Sequence, residues 1–229
     1  MIKIIDVGSA PVPGVPECYA PLVKDGAEVV GFDARDGRVI GDGYGHFLYV
    51  TKDPNQTSLF EPDFDVLDRF VDLSSMFEVV KTDWVETERL DDTAWCWGAD
   101  FLKMDVQGAE CIVLAGATET LKSVLVVQAE ITYVPFYKGQ AMLGDVDTML
   151  RAAGFYPHLS PGIGQRHMTG VPESPEGSGL QFLYGDWVYL RDFTKCAEWT
   201  PEQRRKAAEI LFTCYDSQEM AAWLMRGAQ

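Results

Sequence analysis

The most constraining feature of the sequence is a pair of apolar segments separated by a helix-like segment. ADFLKMDV (99–106) and SVLVVQAEI (123–131) have the composition of buried strands. Between them, GAECIVLAGATETLK (108–122) has the composition of a helix. Strand–helix–strand units of this kind are almost always parallel and right-handed. The pattern therefore predicts a βαβ unit at the centre of an α/β sheet.

Further strand and helix patterns extend on both sides of this unit. We expect strands at 3–8, 28–34, 45–52 and 76–87, a closing pair at 156–160 and 180–192, helices at 16–26 and 145–155, a loop at 161–179 and two short helices within 200–225. Alternating strands and helices predict a doubly wound α/β fold. We assign residues 1–192 to this domain and residues 193–229 to a C-terminal helical extension packed on it.

Composition narrows the classes of partner. The formal net charge is -16, which argues against nucleic acid and against an anionic membrane surface, because both are bound mainly through Lys and Arg. The five cysteines are scattered and form no CxxC pair, so they predict reduced thiols. The first residues, MIKIIDVG, lack the pattern of a signal peptide, and no apolar run reaches the ~18 residues of a membrane span. We therefore expect a cytoplasmic protein, of undetermined oligomeric state.

Acidic residues stand at the ends of the predicted parallel strands. Asp6, Asp33, Asp105 and Glu130 each occupy such a position. Ligands of doubly wound sheets bind beyond the carboxyl ends of the strands, so these four residues predict one rim of a ligand site. Asp105 and Glu130 should be neighbours on adjacent strands, where two carboxylates perturb each other's pKa. Their alternative roles are general base, ligand orientation or binding of a hard metal ion.

The turn after the first strand reads DVGSAPVPG (6–14), in which Gly8 and Ser9 follow the strand. A glycine there lets the backbone approach a ligand, although a plain turn explains it as well. Asp33 follows Gly8 by 25 residues, near the ~20 residues at which an acid holds a ribose in nucleotide-binding folds. The GxGxxG fingerprint is absent, which disfavours NAD and FAD.

Other polar residues carry weaker signals. Glu110 either takes part in chemistry or stabilises the first turn of a helix through the helix dipole. His167, beside Arg166 in the predicted loop, either faces substrate or is solvated. The three histidines show no HxH or HExxH spacing, so we predict no dedicated metal site.

Taken together, these residues resemble the FkbM-type family of S-adenosylmethionine-dependent methyltransferases over most of the chain. The resemblance is carried by IIDVGSA, VVGFDA, NQTSLFEP (55–62), ERLDD (88–92), DFLKMDVQGAECIVLAGATETL (100–121), EITYVPFYKGQ (130–140) and LRAAGF (150–155). The block from Leu102 to Gly116 is the most specific part. The resemblance implies a Rossmann-like class I methyltransferase fold, with a mostly parallel seven-stranded sheet and a C-terminal antiparallel hairpin.

The resemblance also implies roles for individual residues. It places Asp6, Gly8 and Ser9 in the loop that binds S-adenosyl-L-methionine, Asp33 on the cofactor ribose, and Asp105 near the reactive methyl group and the acceptor. Further family motif positions are matched by Glu110, Glu130, Tyr137 and Gly108, and we assign Glu110, Tyr137 and His167 to the substrate side. The implied reaction is O-methylation of a small hydroxylated molecule or saccharide. Asp105 is the first candidate for the base and Glu130 the second; a Mg²⁺-assisted variant through both is less favoured.

One segment departs from the family pattern. After Asp33 the family usually has a helix and another strand, but here only ARDGRVIGDGY (34–44) intervenes. The second crossover is therefore shortened, and the adenine side of the pocket is reduced or built by other segments such as NQTSLF. Three alternatives follow: an O-methyltransferase, a catalytically degenerate relative that serves as an interaction subunit, and, less favoured, a dinucleotide or nucleotide-sugar enzyme.

Overall fold

A computed structural model describes residues 1–9, 14, 16–172, 179 and 181–227. The strands in these residues are β1 Lys3–Val7, β2 Glu28–Phe32, β3 Gly45–Thr51, β4 Val79–Glu86, β5 Phe101–Met104, β6 Val126–Thr132, β7 Phe155–Gln165 and β8 Phe182–Arg191. The α-helices are α1 Ala20–Lys24, α2 Phe64–Leu67, α3 Glu110–Ala115, α4 Leu143–Ala152, α5 Pro201–Tyr215 and α6 Gln218–Arg226. Short 3₁₀ turns occur in several of the connections.

The main sheet has six strands in the order β2-β1-β5-β6-β8-β7. The four strands β2, β1, β5 and β6 are parallel, whereas β8 runs antiparallel to both β6 and β7. β5, α3 and β6 form the central βαβ unit that the sequence predicts. The α/β class and the closing antiparallel hairpin are therefore confirmed.

The strand count differs from the prediction of a seven-stranded sheet. β3 and β4 pair with each other in a separate antiparallel sheet, and β2 is an edge of the main sheet. Residues 34–44 hold only a 3₁₀ turn, Ala34–Asp36, before β3 begins. Eleven residues are too few for a crossover helix and a further parallel strand, since such connections need about a dozen or more residues for the crossover alone. The shortened second crossover therefore removes one strand from the sheet.

Helices cover both faces of the main sheet. Successive side chains of each strand point to opposite faces, so each strand contributes to both cores. Leu102 and Val127 face a core that includes residues of α3 and α4. Phe101 and Val126 face a second core, which contains residues of α1, α5 and α6. The C-terminal helices thus share a core with the sheet; the boundary between residues 192 and 193 stays a prediction.

One predicted helix is shorter than expected, and one predicted strand is longer. The helix expected over 108–122 ends at Ala115, because the chain turns at Gly116, where an added Cβ would lie 1.9 Å from the carbonyl oxygen of Gly41. β7 continues to Gln165 and enters the region expected to be a loop. Its prolines are tolerated because β7 is an edge strand with register shifts. Residues 173–178 and 180 of that region lie outside the described residues.

No helix within the described ranges combines the length and the apolar composition that crossing a membrane requires.

Candidate active site

A cavity of about 320 Å³ opens at the carboxyl ends of the parallel strands. The lining follows the strand order, from residues after β2 through Gly8 after β1 to Asp105 and Glu130 at β5 and β6, and it includes several aromatic side chains. This is the position at which doubly wound sheets bind their ligands. Three of the four strand-end acids, Asp33, Asp105 and Glu130, line it. The expected rim is therefore present, with Asp6 as the exception.

Gly8 forms the floor of the cavity where β1 ends. Its φ is +84°, and its backbone N–H donates to the carbonyl oxygen of Phe32 at 2.8 Å. A Cβ at this position would lie 1.8 Å from the carbonyl oxygen of Asp105. Only glycine meets both conditions, since a side chain is strained at this φ and would overlap the neighbouring strand end. The absence of a side chain thus allows the ends of β1 and β5 to approach closely beside the cavity.

Asp33 closes the cavity at the end of β2. Its Oδ1 accepts hydrogen bonds from the backbone N–H and from Nε of Arg35, both at 2.8 Å, so that the carboxylate caps the 3₁₀ turn. Within the described part of the chain, Oδ2 has no hydrogen-bond partner. Arg38 lies with its guanidinium carbon 4.2 Å from the centre of the Phe32 ring, next to Asp33. This end of the cavity thus presents one carboxylate oxygen, an aromatic ring and two cations.

Asp105 and Glu130 are brought together by the register of β5 and β6, in which Met104 pairs with Ala129. The side-chain Nε2 of Gln107 donates to Asp105 Oδ1 at 2.8 Å and to Glu130 Oε2 at 3.0 Å. Neither carboxylate takes part in an ion pair with a Lys, Arg or His among the described residues. The two strand-end acids predicted to be neighbours therefore share one amide donor.

Burial dominates the electrostatics of Glu130. It raises the pKa of this carboxyl well above its usual value, and the nearby carboxylates of Asp105, Glu110 and Asp186 raise the pKa further. A carboxyl in such surroundings retains its proton more readily than an exposed one. Asp105 lines the cavity next to Glu130, so the two carboxyls can both meet a ligand there.

Glu110 lies beside the pair but does not line the cavity. It is buried at the start of α3, and its Oε1 accepts a hydrogen bond from the backbone N–H of Val106 at 3.2 Å. Burial raises its pKa to about 7, although backbone hydrogen bonds oppose the shift. The side chain therefore ties the turn between β5 and α3, and its role toward a substrate stays a prediction.

Tyr137 is fully buried between the cavity wall and the carboxylate pair. Its hydroxyl lies 2.9 Å from the carbonyl oxygen of Gln56 and 3.1 Å from Gln107 Oε1. It does not line the cavity, so any effect on a ligand passes through these neighbours.

Asp6 does not line the cavity. It is completely buried and accepts hydrogen bonds from the hydroxyl of Tyr19 at 2.5 Å and from Nζ of Lys103 at 3.2 Å. The same Nζ lies 3.2 Å from Glu17 Oε2. Asp6 is thus satisfied by protein groups within the described residues, and its predicted contact with a cofactor stays a prediction.

Two further predicted residues lie near the cavity without lining it. Ser9 rests over Gly31, where an added Cβ would meet the serine Oγ at 2.6 Å. His167 is half-buried, and its carbonyl oxygen accepts a hydrogen bond from the N–H of Val71. Its neighbour Arg166 does line the cavity. Neither placement tests the roles predicted for Ser9 and His167.

The family of the chain follows from comparison with known proteins. Residues 34–157, more than half of the chain, match the family described as "Methyltransferase FkbM domain". The chain belongs to the FkbM methyltransferase family. The match begins directly after Asp33, so that it includes Asp105, Gln107 and Glu130 but not β1 and β2.

Two individual proteins resemble this FkbM family member. A "2-O-methyltransferase NoeI" from Sinorhizobium fredii (strain NBRC 101917 / NGR234) is 45% identical over 64 residues, which is 26% of each chain. The alignment thus spans about a quarter of the length of that relative. A solved structure of magnesium protoporphyrin IX methyltransferase (ChlM) from Synechocystis PCC 6803, with bound SAM, covers 83% of this chain and 70% of its own at 13% identity, with a TM-score of 0.38. That likeness is too weak to support an argument.

Several residues that shape the site of this FkbM protein were not singled out from the sequence. They include Gln107, Phe77, Phe136 and Tyr184. The aromatic side chains come from segments far apart in the sequence and meet only in the fold. Residues 53–59 also line the cavity. The sequence left open whether the adenine side is reduced or built by segments such as NQTSLF, and this segment does contribute to the lining. The signal for Gln107 was its place in a polar turn directly after a buried strand.

Metal binding receives no support from the described residues, which contain no group of three or more His, Cys, Asp or Glu suited to hold an ion.

Proposed function

We propose that the protein is an S-adenosylmethionine-dependent methyltransferase that methylates a hydroxyl group of a small molecule or saccharide. The observation that carries the proposal is the single cavity that joins Gly8 and Asp33 to Asp105 and Glu130. Membership of the FkbM methyltransferase family supports methyl transfer. The partial similarity to a 2-O-methyltransferase supports oxygen as the accepting atom. The net charge of -16 favours a small-molecule acceptor over nucleic acid.

The residues at the β1–β2 end fit the proposed cofactor. Gly8 lets the ends of β1 and β5 meet beside the cavity, and Asp33 Oδ2 is available to accept from ribose hydroxyls. The ring of Phe32 and the side chains of residues 38–40 provide a wall for a flat base. When bound there, S-adenosylmethionine supplies an electrophilic methyl group.

The other end of the cavity supplies the groups that the acceptor needs. Asp105 can accept the proton of an attacking hydroxyl, and Glu130, which retains its proton more readily, can donate a hydrogen bond to the acceptor. Holding the hydroxyl in line with the methyl group provides much of the rate of such a displacement. The aromatic side chains of Phe77, Phe136 and Tyr184 line the same end and exclude water from it.

A second candidate function is that of a degenerate relative acting as an interaction subunit. The loss of the strand beyond β2 favours it, because this region borders the cofactor end of the cavity. The two functions differ in whether the cavity binds the cofactor product.

S-adenosylhomocysteine distinguishes them. At 100 times its Kd it should stabilise the protein by about 2.7 kcal/mol, which raises the Tm by roughly 5 to 10 °C for a chain of this size. Asp33→Asn should lose most of this shift, whereas Asp36→Asn, an exposed neighbour, should keep it. The measurement is a dye-based thermal scan, repeated with NAD and with EDTA.

The absence of any shift at millimolar S-adenosylhomocysteine would reject the methyltransferase and favour the degenerate relative. A shift with NAD alone would favour a dinucleotide enzyme. Transfer of tritium from labelled S-adenosylmethionine to a panel of hydroxylated acceptors then identifies the substrate, and inhibition by EDTA in that assay would support the Mg²⁺-assisted variant.

A further inference from the structure

Gln107 provides the two N–H groups that hold the acidic pair. A glutamine amide has two N–H donors, and here each points to a different carboxylate, at 2.8 Å for Asp105 and 3.0 Å for Glu130. The number of donors matches the number of acceptors. The amide therefore acts as a neutral clamp between two acids that have no ion-pair partner among the described residues.

The rest of Gln107 is anchored to the wall of the cavity. Its Oε1 lies 3.1 Å from the hydroxyl of Tyr137, which also reaches the carbonyl oxygen of Gln56. Its backbone carbonyl oxygen accepts a hydrogen bond from Ser58 Oγ at 2.7 Å. Gln56 and Ser58 both line the cavity. Gln107 thus links the acidic pair to Gln56 and Ser58 in the cavity lining.

The backbone of Gln107 has an unusual conformation. Its φ is +53°, and the only other non-glycine residues with positive φ among those described are Asp72 and Asp216. Aspartate and asparagine adopt this left-handed conformation more readily than glutamine, because their short side chains bond locally. The backbone alone would therefore favour asparagine at position 107. A longer amide in a mildly unfavourable conformation points to a function for its reach.

We propose that Gln107 is a positioning residue of the site, which keeps the Asp105 and Glu130 carboxylates together and oriented toward the cavity. The inference rests on the proposed methyl transfer, in which those two carboxylates meet the acceptor. Tyr137 supports the clamp by fixing the orientation of the amide. A glutamate at position 107 would instead place a third carboxylate against the pair.

The groups around Asp105 and Glu130 determine how much repulsion between carboxylates the Gln107 amide must offset. Acidic side chains reach Glu130 from three elements, namely Asp105 after β5, Glu110 on α3 and Asp186 on β8, and Tyr137 follows β6. The cation of Lys103 is held in ion pairs with Asp6 and Glu17 and forms none with Asp105 or Glu130. Since the amide donates to both carboxylates, it favours their ionised forms.

Carboxyl titration tests the proposal without any acceptor. Full-length protein carrying ¹³C-labelled Asp and Glu carboxyls is titrated by NMR, with the Asp105 and Glu130 signals assigned through Asp105→Asn and Glu130→Gln. In Gln107→Asn the backbone conformation is retained but the amide is one methylene too short to reach. We expect the midpoint of the pair to rise by about one pH unit, which corresponds to the loss of a hydrogen bond to a charged group. Tyr137→Phe should shift it in the same direction by less.

An unchanged midpoint in folded Gln107→Asn would overturn the proposal, because a residue that only shapes the turn would leave the titration where it is. Should that variant not fold, an unchanged midpoint in Tyr137→Phe overturns it equally. Binding of S-adenosylhomocysteine by the wild type, measured by calorimetry, is the separate test of the proposed function. If no binding is detected, the proposed methyl transfer is rejected, whereas the result of the carboxyl titration is unaffected.

Discussion

Two acidic clusters lie on neighbouring strands of the same sheet and are stabilised in different ways. In one, Asp6 is fully buried and bonded by Lys103 and Tyr19. In the other, Asp105 and Glu130 share the neutral amide of Gln107. The first cluster faces α1, whereas the second faces the cavity. The first has the arrangement of a structural ion pair, and the second that of a site whose unpaired charge is available to a ligand.

The pKa shifts follow this division. Burial alone would lower the pKa of Lys103, but the Coulomb attraction of Asp6, Asp105 and Glu17 raises it, so the ammonium stays charged. Burial raises the pKa of Asp6, and Lys103 opposes the rise. Around Glu130, burial and the surrounding acids all act in the same direction. A carboxyl with no opposing cation retains its proton more readily than one beside a cation.

Among the substitutions that distinguish the two acidic clusters, Asp105→Asn should have the largest effect, and that effect is on turnover. On the acceptor with the highest wild-type rate in the tritium-transfer screen, we expect turnover to fall about 10² to 10⁴-fold, the usual contribution of a positioned base. The Tm should change little, because Asp105 is only partly buried. The comparison variant, Asp6→Asn, should have the opposite profile, with a lower Tm and a smaller loss of turnover. Near-wild-type turnover in Asp105→Asn would show that Asp105 is not the base.

Lys103→Met tests the structural cluster. The side chains of Lys103 and Asp6 are 11% and 0% exposed, so removal of the cation leaves a buried carboxylate without its partner. Breaking such a pair should lower the free energy of unfolding by about 3 to 5 kcal/mol, measured by urea denaturation. The double variant with Asp6→Asn should recover much of the loss. For Lys138→Met, which breaks an exposed pair with Glu61, we expect a much smaller loss, because solvent screens that pair. Equal losses in the two single variants would contradict the distinction between the clusters.

Much of this fold could be predicted from the sequence because its strands are locally encoded. The apolar runs around Leu102 and Val127 specify buried parallel strands, and the shortness of residues 34–44 correctly indicated a reduced crossover. The strand count was wrong because pairing is decided by tertiary contacts. β3 and β4 have ordinary strand composition, which does not reveal that they pair with each other instead of joining the main sheet.

The candidate site was only partly predictable, for a related reason. Position near a strand end places an acid close to the rim, but the neighbouring side chains decide its environment. Asp6 pairs with Lys103 in the register of β1 and β5 and bonds Tyr19, and it does not line the cavity. Gln107 could not be identified, because its importance depends on a left-handed backbone and on Tyr137, thirty positions away.

Glu110→Gln extends the comparison of the two clusters to a third buried acid, which has no ion-pair partner among the described residues. The pKa of Glu110 is raised by burial from 4.5 to about 7 in the folded protein. Between these values the folded state keeps the proton while the unfolded chain loses it. The stabilisation is therefore complete below about pH 4.5 and is lost as the pH rises through about 7, by about 3 kcal/mol at most. Glutamine resembles the protonated form and should not show this loss.

The free energy of unfolding of both proteins is measured with urea at pH 5 and at pH 8. We expect the variant to gain stability relative to the wild type on going from pH 5 to pH 8, because only the wild type must bury an ionised carboxylate at the higher pH. Glu219→Gln, on the exposed side of α6, is the matched control and should show no such dependence. If the difference between Glu110→Gln and the wild type is the same at both pH values, Glu110 titrates alike in the folded and unfolded states. The turn after β5 would then stabilise the ionised carboxylate as well as water does, and an acid without a cation would not, by itself, be destabilising at this end of the sheet.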